Sequence, residues 1–108
     1  MTYKKAGNAS EVPAGKMKMY NIEGIEILVA NISGSFYAIA NRCTHMKGNL
    51  SEGTLDGNIV SCPKHHAKYD VTTGRTVDGP KIAFIKLKGK DEPSYKVSVE
   101  GNDIMVDV

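Results

Sequence analysis

Cys43-Thr44-His45 and Cys62-Pro63-Lys64-His65 each place a thiol and an imidazole on one short segment, with the sixteen residues Met46 to Ser61 between them. Brought together, the two segments offer four soft or borderline donors to a metal. A single tetrahedral zinc would also accept two Cys and two His. Zinc fingers, however, usually pair Cys with Cys on a knuckle and His with His on a helix, whereas each segment here mixes the two types. Residues 41–80 around them hold all three histidines, both cysteines, five glycines and two prolines, with only brief apolar runs. Such a loop-rich insert between strand-rich segments is where a site is displayed.

The flanks read differently. Met17 and Met19 interleave with Lys16 and Lys18, Ile25, Ile27 and Val29 with Glu26 and Leu28, and Tyr95, Val97 and Val99 with Lys96 and Ser98. A period of two is the pattern of half-buried strands. Ser33-Gly34 and Gly101-Asn102 fall between such runs and predict hairpin turns, while Ser10 to Gly15 reads as an ordinary connecting loop. No window of about eleven residues carries a helical period, and eleven glycines and four prolines punctuate the chain. The expectation is an all-β fold, a small sandwich or partly open barrel, with a loop-rich subdomain at about 41–80.

A length of 108 residues suits one compact domain spanning 1–108, too short for two independent cores. Hydrophobic residues at 41% and charged residues at 24% are ordinary globular usage, which argues against disorder. A formal charge of +2 with scattered lysines does not indicate nucleic-acid binding, since no basic stripe forms. No apolar run approaches the roughly 18 residues of a membrane span, and Met1 to Lys5 lacks the apolar stretch of a secretory signal. The expected address is cytoplasmic. Two cysteines exclude a multi-disulfide framework, and in a reducing cytosol they read as metal ligands rather than as a bridge.

The two Cys/His segments, with Tyr69-Asp70, Gly74 and Gly79-Pro80 trailing them, resemble the Rieske signature over roughly residues 41–80. A Rieske centre is a 2Fe-2S cluster in which two His replace two Cys on one iron. The resemblance implies one cluster per chain, with Cys43 and Cys62 on the inner iron and His45 and His65 on the outer. Gly48, Pro63, Gly74 and Gly79-Pro80 would shape the loops, and Tyr69 would donate its hydroxyl toward a ligand sulfur. Members of cytochrome bc-type complexes carry an extra cysteine in each loop, forming a disulfide beside the cluster. Gly48 and Lys64 stand at those places here. His66 and Ala67 replace the glycine and serine that commonly follow the second ligand histidine, and His66, outside the ligand set, is expected to be a surface side chain.

Two thiolates and two neutral imidazoles leave the oxidised cluster uncharged, whereas four thiolates give it a charge of about -2. Reduction is then easier, and the potential rises from about -400 mV into the Rieske range of about -150 to +300 mV. The ligand set leaves no coordination position for substrate, and His66 alone is too few histidines to build a two-His, one-carboxylate oxygenase iron. The resemblance therefore implies a soluble one-electron carrier, not an enzyme, serving a reductase and a terminal acceptor such as an oxygenase. The alternatives are a fixed electron-transfer subunit of a larger oxidoreductase, and a zinc-stabilised interaction module. Arg42, Lys47, Lys64 and Lys68, set against Glu52, Asp56 and Asp70, predict a weakly basic tip for an acidic partner face.

Hydrogen bonds to cluster sulfurs stabilise the reduced state, and the Ala67 side chain can supply none. The midpoint should lie in the lower half of the Rieske range. If one such bond differs by about 1 kcal/mol between redox states, the shift is about 40 mV. Voltammetry should find Ala67→Ser higher than wild type and Tyr69→Phe lower, each by tens of millivolts. Three equal potentials would remove both positions from control of the cluster.

Overall fold

Leu28 and Val29 are neighbours in sequence, yet each is at most 1% exposed and they belong to two different apolar cores. The computed structural model describes residues 2–42, 48–63, 66–79, 81–82, 85–86 and 90–108. In chain order its strands are β1 (Tyr3–Asn8), β2 (Met17–Ile22), β3 (Ile25–Ile32), β4 (Ser35–Ala40), β5 (Thr54–Asp56), β6 (Ile59–Ser61) and β7 (Lys68–Asp70). They continue as β8 (Thr76–Asp78), β9 (Lys81–Ile82), β10 (Ile85–Lys86), β11 (Ser94–Tyr95), β12 (Val97–Glu100) and β13 (Asp103–Asp107). Short 3-10 turns at Ala9–Glu11 and Leu50–Glu52 are the helical elements among the described residues, and none of these is long and apolar enough to cross a membrane.

The strands form antiparallel sheets ordered β1-β13-β12, β11-β4-β3-β2 and β5-β6-β7-β8, with the pair β10-β9 beside them. The expected all-β class holds, and among the described residues no sheet closes into a barrel. The sheet containing β3 and β4 lies in the middle. One face sends Ile27, Val29 and Ala38 toward Ile104 and Val106 of β13, and the other sends Leu28, Ala30 and Ile39 toward Val60, Tyr69 and Val71 of the small sheet. Alternation along β3 thus separates two cores rather than core from solvent, the pattern of a sheet covered on both sides.

Both predicted hairpin turns are present. Ser33 and Gly34 have φ of 55° and 94°, and Gly101 has φ of 63°; such backbone suits a two-residue turn. Two expectations need correction. Tyr95 to Val99 is not one strand: Tyr95 pairs with Ala38 on β4, whereas Val97 pairs with Val106 on β13, so the chain changes sheet at the exposed Lys96. The segment Ser10 to Gly15 is more than a connecting loop, because Val12 within it is fully buried in the sandwich core.

Glu11 fastens that segment. Its Oε1 accepts from the Tyr20 hydroxyl at 2.7 Å and from the Asn8 backbone N–H at 3.2 Å. A side chain at Gly7 would collide with both Glu11 and Tyr20. The bond from Tyr20 holds the Glu11 carboxyl below the usual range, while desolvation and then the bond to Glu11 hold the Tyr20 hydroxyl well above its own. A raised phenol contributes stability that is complete below pH about 10, where the unfolded tyrosine begins to ionise, and declines above it. A lowered carboxyl contributes stability that is complete above pH about 5 and declines as the folded group protonates. Tyr20→Phe should lower the melting temperature by a few degrees near neutral pH and flatten the alkaline decline above pH about 10. Thermal denaturation across pH 6 to about 11 checks both, and an unchanged alkaline limb would show that Tyr20 does not govern it.

Candidate metal centre

Cys62 follows the last residue of β6 and is 1% exposed. The β6–β7 pairing, Val60 with Tyr69 and Ser61 with Lys68, brings residues 62 and 67 to the two sides of one tight connection. Two backbone bonds close that connection among the described residues: the Cys62 N–H donates to the Ala67 carbonyl at 2.8 Å, and the His66 N–H donates to the Cys62 carbonyl at 3.1 Å. Cys62, Ala67 and Tyr69 face inward among Leu50, Val60 and Val71, whereas Pro63 and His66 are exposed. His66 is thus at the surface, as its place outside the ligand set predicted. Its φ of 59° explains why a glycine suits this position, since the left-handed region costs glycine nothing and histidine a modest amount. Lys64 and His65 lie outside the described residues.

The first Cys/His segment is closed differently. Arg42 and Asn49 form an isolated antiparallel bridge, and the Leu50 N–H donates to the Asn41 carbonyl at 2.8 Å. Cys43, Thr44, His45, Met46 and Lys47 lie outside the described residues. Asn41 is fully buried and went unnoticed in the sequence; the available signal was a polar residue ending an apolar strand, two positions before a candidate ligand. Arg42 Nε meets Glu26 Oε1 at 3.3 Å. That guanidinium holds the Glu26 carboxyl below the usual range, with a smaller contribution from the Asn41 amide.

Leu50, which follows the first segment, packs in the same core as Cys62, so one apolar cluster underlies both. Gly53 lets the chain leaving the first segment pass against the second: an added Cβ would collide with the Ser61 carbonyl oxygen and crowd the Pro63 ring. Gly74, with φ of 81°, plays a similar part on the far side, where a Cβ would collide with the Glu92 carbonyl. There the Glu92 N–H donates to the Gly74 carbonyl at 2.7 Å, and Asp91 Oδ1 accepts from the Thr76 N–H at 2.8 Å. That bond is the largest cause of the lowered Asp91 carboxyl. Gly48 and Gly79 are buried, as loop-shaping residues require, and Pro80 lies outside the described residues. Sequence reasoning found Gly74 and passed over Gly53.

The donor set fits an iron-sulfur cluster. Of the four expected ligands, Cys62 is described, and it sits in an apolar setting beside the buried Tyr69 and Ala67, where a thiolate is shielded from water and suited to a metal. Among the described residues no three potential ligands converge; Cys43, His45 and His65 lie outside them. Because Gly53 lies between the two segments, Gly53→Ala should cost both stability and metal retention. Its Cβ meets backbone, which cannot swing aside, so the melting temperature should fall by several degrees. The iron content per purified chain should fall below that of wild type. Unchanged values of both would show that the two segments do not depend on this approach.

Residues 2–106 match the Rieske [2Fe-2S] domain. The chain is 34% identical over 108 residues to the biphenyl dioxygenase ferredoxin subunit of Pseudomonas sp. (strain KKS102), covering 99% of this chain and 93% of that one. It is 35% identical over 98 residues to the ferredoxin component of the naphthalene 1,2-dioxygenase system of Pseudomonas aeruginosa, covering 91% and 88%. Among solved structures it is similar to a chain from a complex of reduced oxygenase and oxidized ferredoxin in carbazole 1,9a-dioxygenase. There the TM-score is 0.82 and the identity 30%, with 96% of this chain and 91% of that one covered. The mixed Cys/His segments, the sandwich beneath them and these likenesses agree: the chain belongs to the Rieske 2Fe-2S family, and its cofactor is one 2Fe-2S cluster.

Proposed function

We propose that this chain is the one-electron carrier of an oxygenase system, a single Rieske domain over residues 1–108 that takes electrons from a reductase and passes them to a terminal oxygenase. The cluster supplies one-electron redox chemistry at moderate potential. Cys43 and Cys62 would hold one iron as thiolates, and His45 and His65 the other through ring nitrogens. Cys62 carries this reading: it is buried in a hydrogen-bonded turn at the end of a strand pair, above the core it shares with Leu50 and Tyr69. The near-complete coverage of ferredoxin components of dioxygenase systems supports the carrier role. The chain acts on no substrate of its own, and its address is cytoplasmic.

The remaining residues of the tip orient the exchange. Arg42 is exposed but tied to Glu26, so the free basic character expected for docking falls on Lys68 among the described residues and on Lys47 and Lys64 outside them. Steering by such charges speeds encounter and weakens with salt. Tyr69, fully buried on the strand that pairs with β6, would direct its hydroxyl toward a ligand sulfur.

Two irons and two acid-labile sulfides per chain are expected, with broad visible absorption that is lost in Cys43→Ser, His45→Ala, Cys62→Ser and His65→Ala. Reduced protein should pass single electrons to a Rieske-dependent oxygenase, more slowly as ionic strength rises and more slowly in Lys64→Glu. Iron and sulfide analysis with stopped-flow absorbance decides. Stoichiometric zinc without sulfide in native protein would end this reading, and salt-independent rates would remove the basic tip from it.

A further inference from the structure

Among the described residues, backbone bonds between Cys62, His66 and Ala67 close the second ligand segment. The first relies on Asn41, which is fully buried and has every hydrogen-bonding group engaged. Its N–H donates to the Glu26 carbonyl at 3.1 Å, and its carbonyl accepts from the Leu50 N–H at 2.8 Å. Its Oδ1 accepts from the Ser51 N–H at 3.0 Å, and its Nδ2 donates to Asn49 Oδ1 at 3.4 Å. Asn41 precedes the segment holding Cys43 and His45, and the partners Asn49, Leu50 and Ser51 follow it, while the amide also reaches the Glu26 carboxylate. One amide therefore ties the departing chain to the returning chain, with β3 as the fixed reference.

A buried amide is costly unless its groups are satisfied, and a fully satisfied one specifies a single geometry. An apolar residue of similar size would fill the space beside Leu50 without dictating where residues 49 to 51 lie. We infer that Asn41 is the positioning residue of the first ligand segment: it sets the separation and register of the segment's two ends, and through them the placement of Cys43 and His45 on the cluster. This rests on the proposed ligand set. The consequence is that the first segment's hold on the cluster depends on this side chain.

The fold contains its own control. Asn31 is 7% exposed and makes an equivalent set of four bonds. Its Nδ2 donates to the Val12 carbonyl at 2.8 Å, and its Oδ1 accepts from the Gly34 N–H at 2.8 Å. Its backbone accepts from the Gly15 N–H at 2.8 Å and donates to the Lys16 carbonyl at 3.0 Å. Asn31 pairs with Phe36 near the β3–β4 turn, whereas Asn41 follows the opposite end of the hairpin, where Ile27 pairs with Ala40. The two ends are about 13 Å apart along the strand.

The test compares wild type, Asn41→Ala, Asn49→Ala and Asn31→Ala as intact holoprotein. The readouts are melting temperature, rate of iron release to a chelator, midpoint potential, and the electron paramagnetic resonance g-values of the reduced state. Asn41→Ala should release iron at least about tenfold faster than wild type, with shifted potential and altered g-values. Asn49→Ala should change the same three quantities in the same direction by less. Asn31→Ala should lower the melting temperature comparably and leave potential and g-values at their wild-type settings. If Asn41→Ala fails to fold, Asn49→Ala decides alone. Potential, g-values and iron release in Asn41→Ala and Asn49→Ala that match Asn31→Ala would overturn the inference and reduce Asn41 to a stabilising residue. Wild-type protein without iron and labile sulfide would instead overturn the ligand assignment beneath it.

Discussion

The site depends on the burial of β3 and β4 on both faces. Leu28, Ala30 and Ile39 look toward the small sheet and Ile27, Val29 and Ala38 toward β13, so the central hairpin is a wall shared by two cores. A slip of one residue in its register would exchange the two sets, placing Ala38 or Ala40 where Ile39 fills the metal-side core. Each fully buried aliphatic side chain contributes roughly 1.5–3 kcal/mol, so the register is strongly held. Because Cys62, Leu50 and Tyr69 rest on that wall, the segments that would carry the ligands inherit its rigidity.

On this platform the two Cys/His segments meet the demand for fixed geometry in separate ways. The second sits inside a strand pair, where the sheet ladder already sets both ends and a six-residue connection closes on its own amides. The first spans from β4 to the 3-10 turn Leu50–Glu52 with, among the described residues, a single bridge between its ends. A ladder of one pair leaves the chain free to shear, and polar side chains take up the task. Gly53 and Gly74 complete the arrangement by letting backbone lie against backbone where any Cβ would hold the segments apart.

Much of this was legible in the sequence. The mixed Cys/His segments identified the family because few arrangements use a thiol and an imidazole on each of two segments, and the alternating runs with Ser33-Gly34 and Gly101-Asn102 gave the strands and turns. What stayed hidden was tertiary. Alternation along Ile25 to Ile32 cannot tell a strand half in water from one between two cores, since Leu28 counts as apolar in either case. Tyr95 to Val99 keeps its period across Lys96 while its partner changes from β4 to β13, because a period reports which way side chains point and not which strand lies beside them. Asn41 shows locally only as a polar residue ending an apolar strand, and Gly53 carries no local pattern. Their roles come from residues 49 to 51 and residue 61, which the fold brings to them.

Glu26 links the redox site to the surface through which it would be approached. Its backbone carbonyl accepts from Asn41, and its carboxylate holds the exposed Arg42 that begins the first segment. An uncharged oxidised cluster exerts little long-range field, so encounter with a partner is governed by side chains at the tip. Arg42, paired with Glu26, is largely offset as a docking charge, which leaves that part to the lysines of the tip. A partner carboxylate drawing Arg42 away would have to compete with Glu26. Glu26 thus meets, through its carbonyl, the residue that anchors the first segment and, through its carboxylate, the residue that begins it.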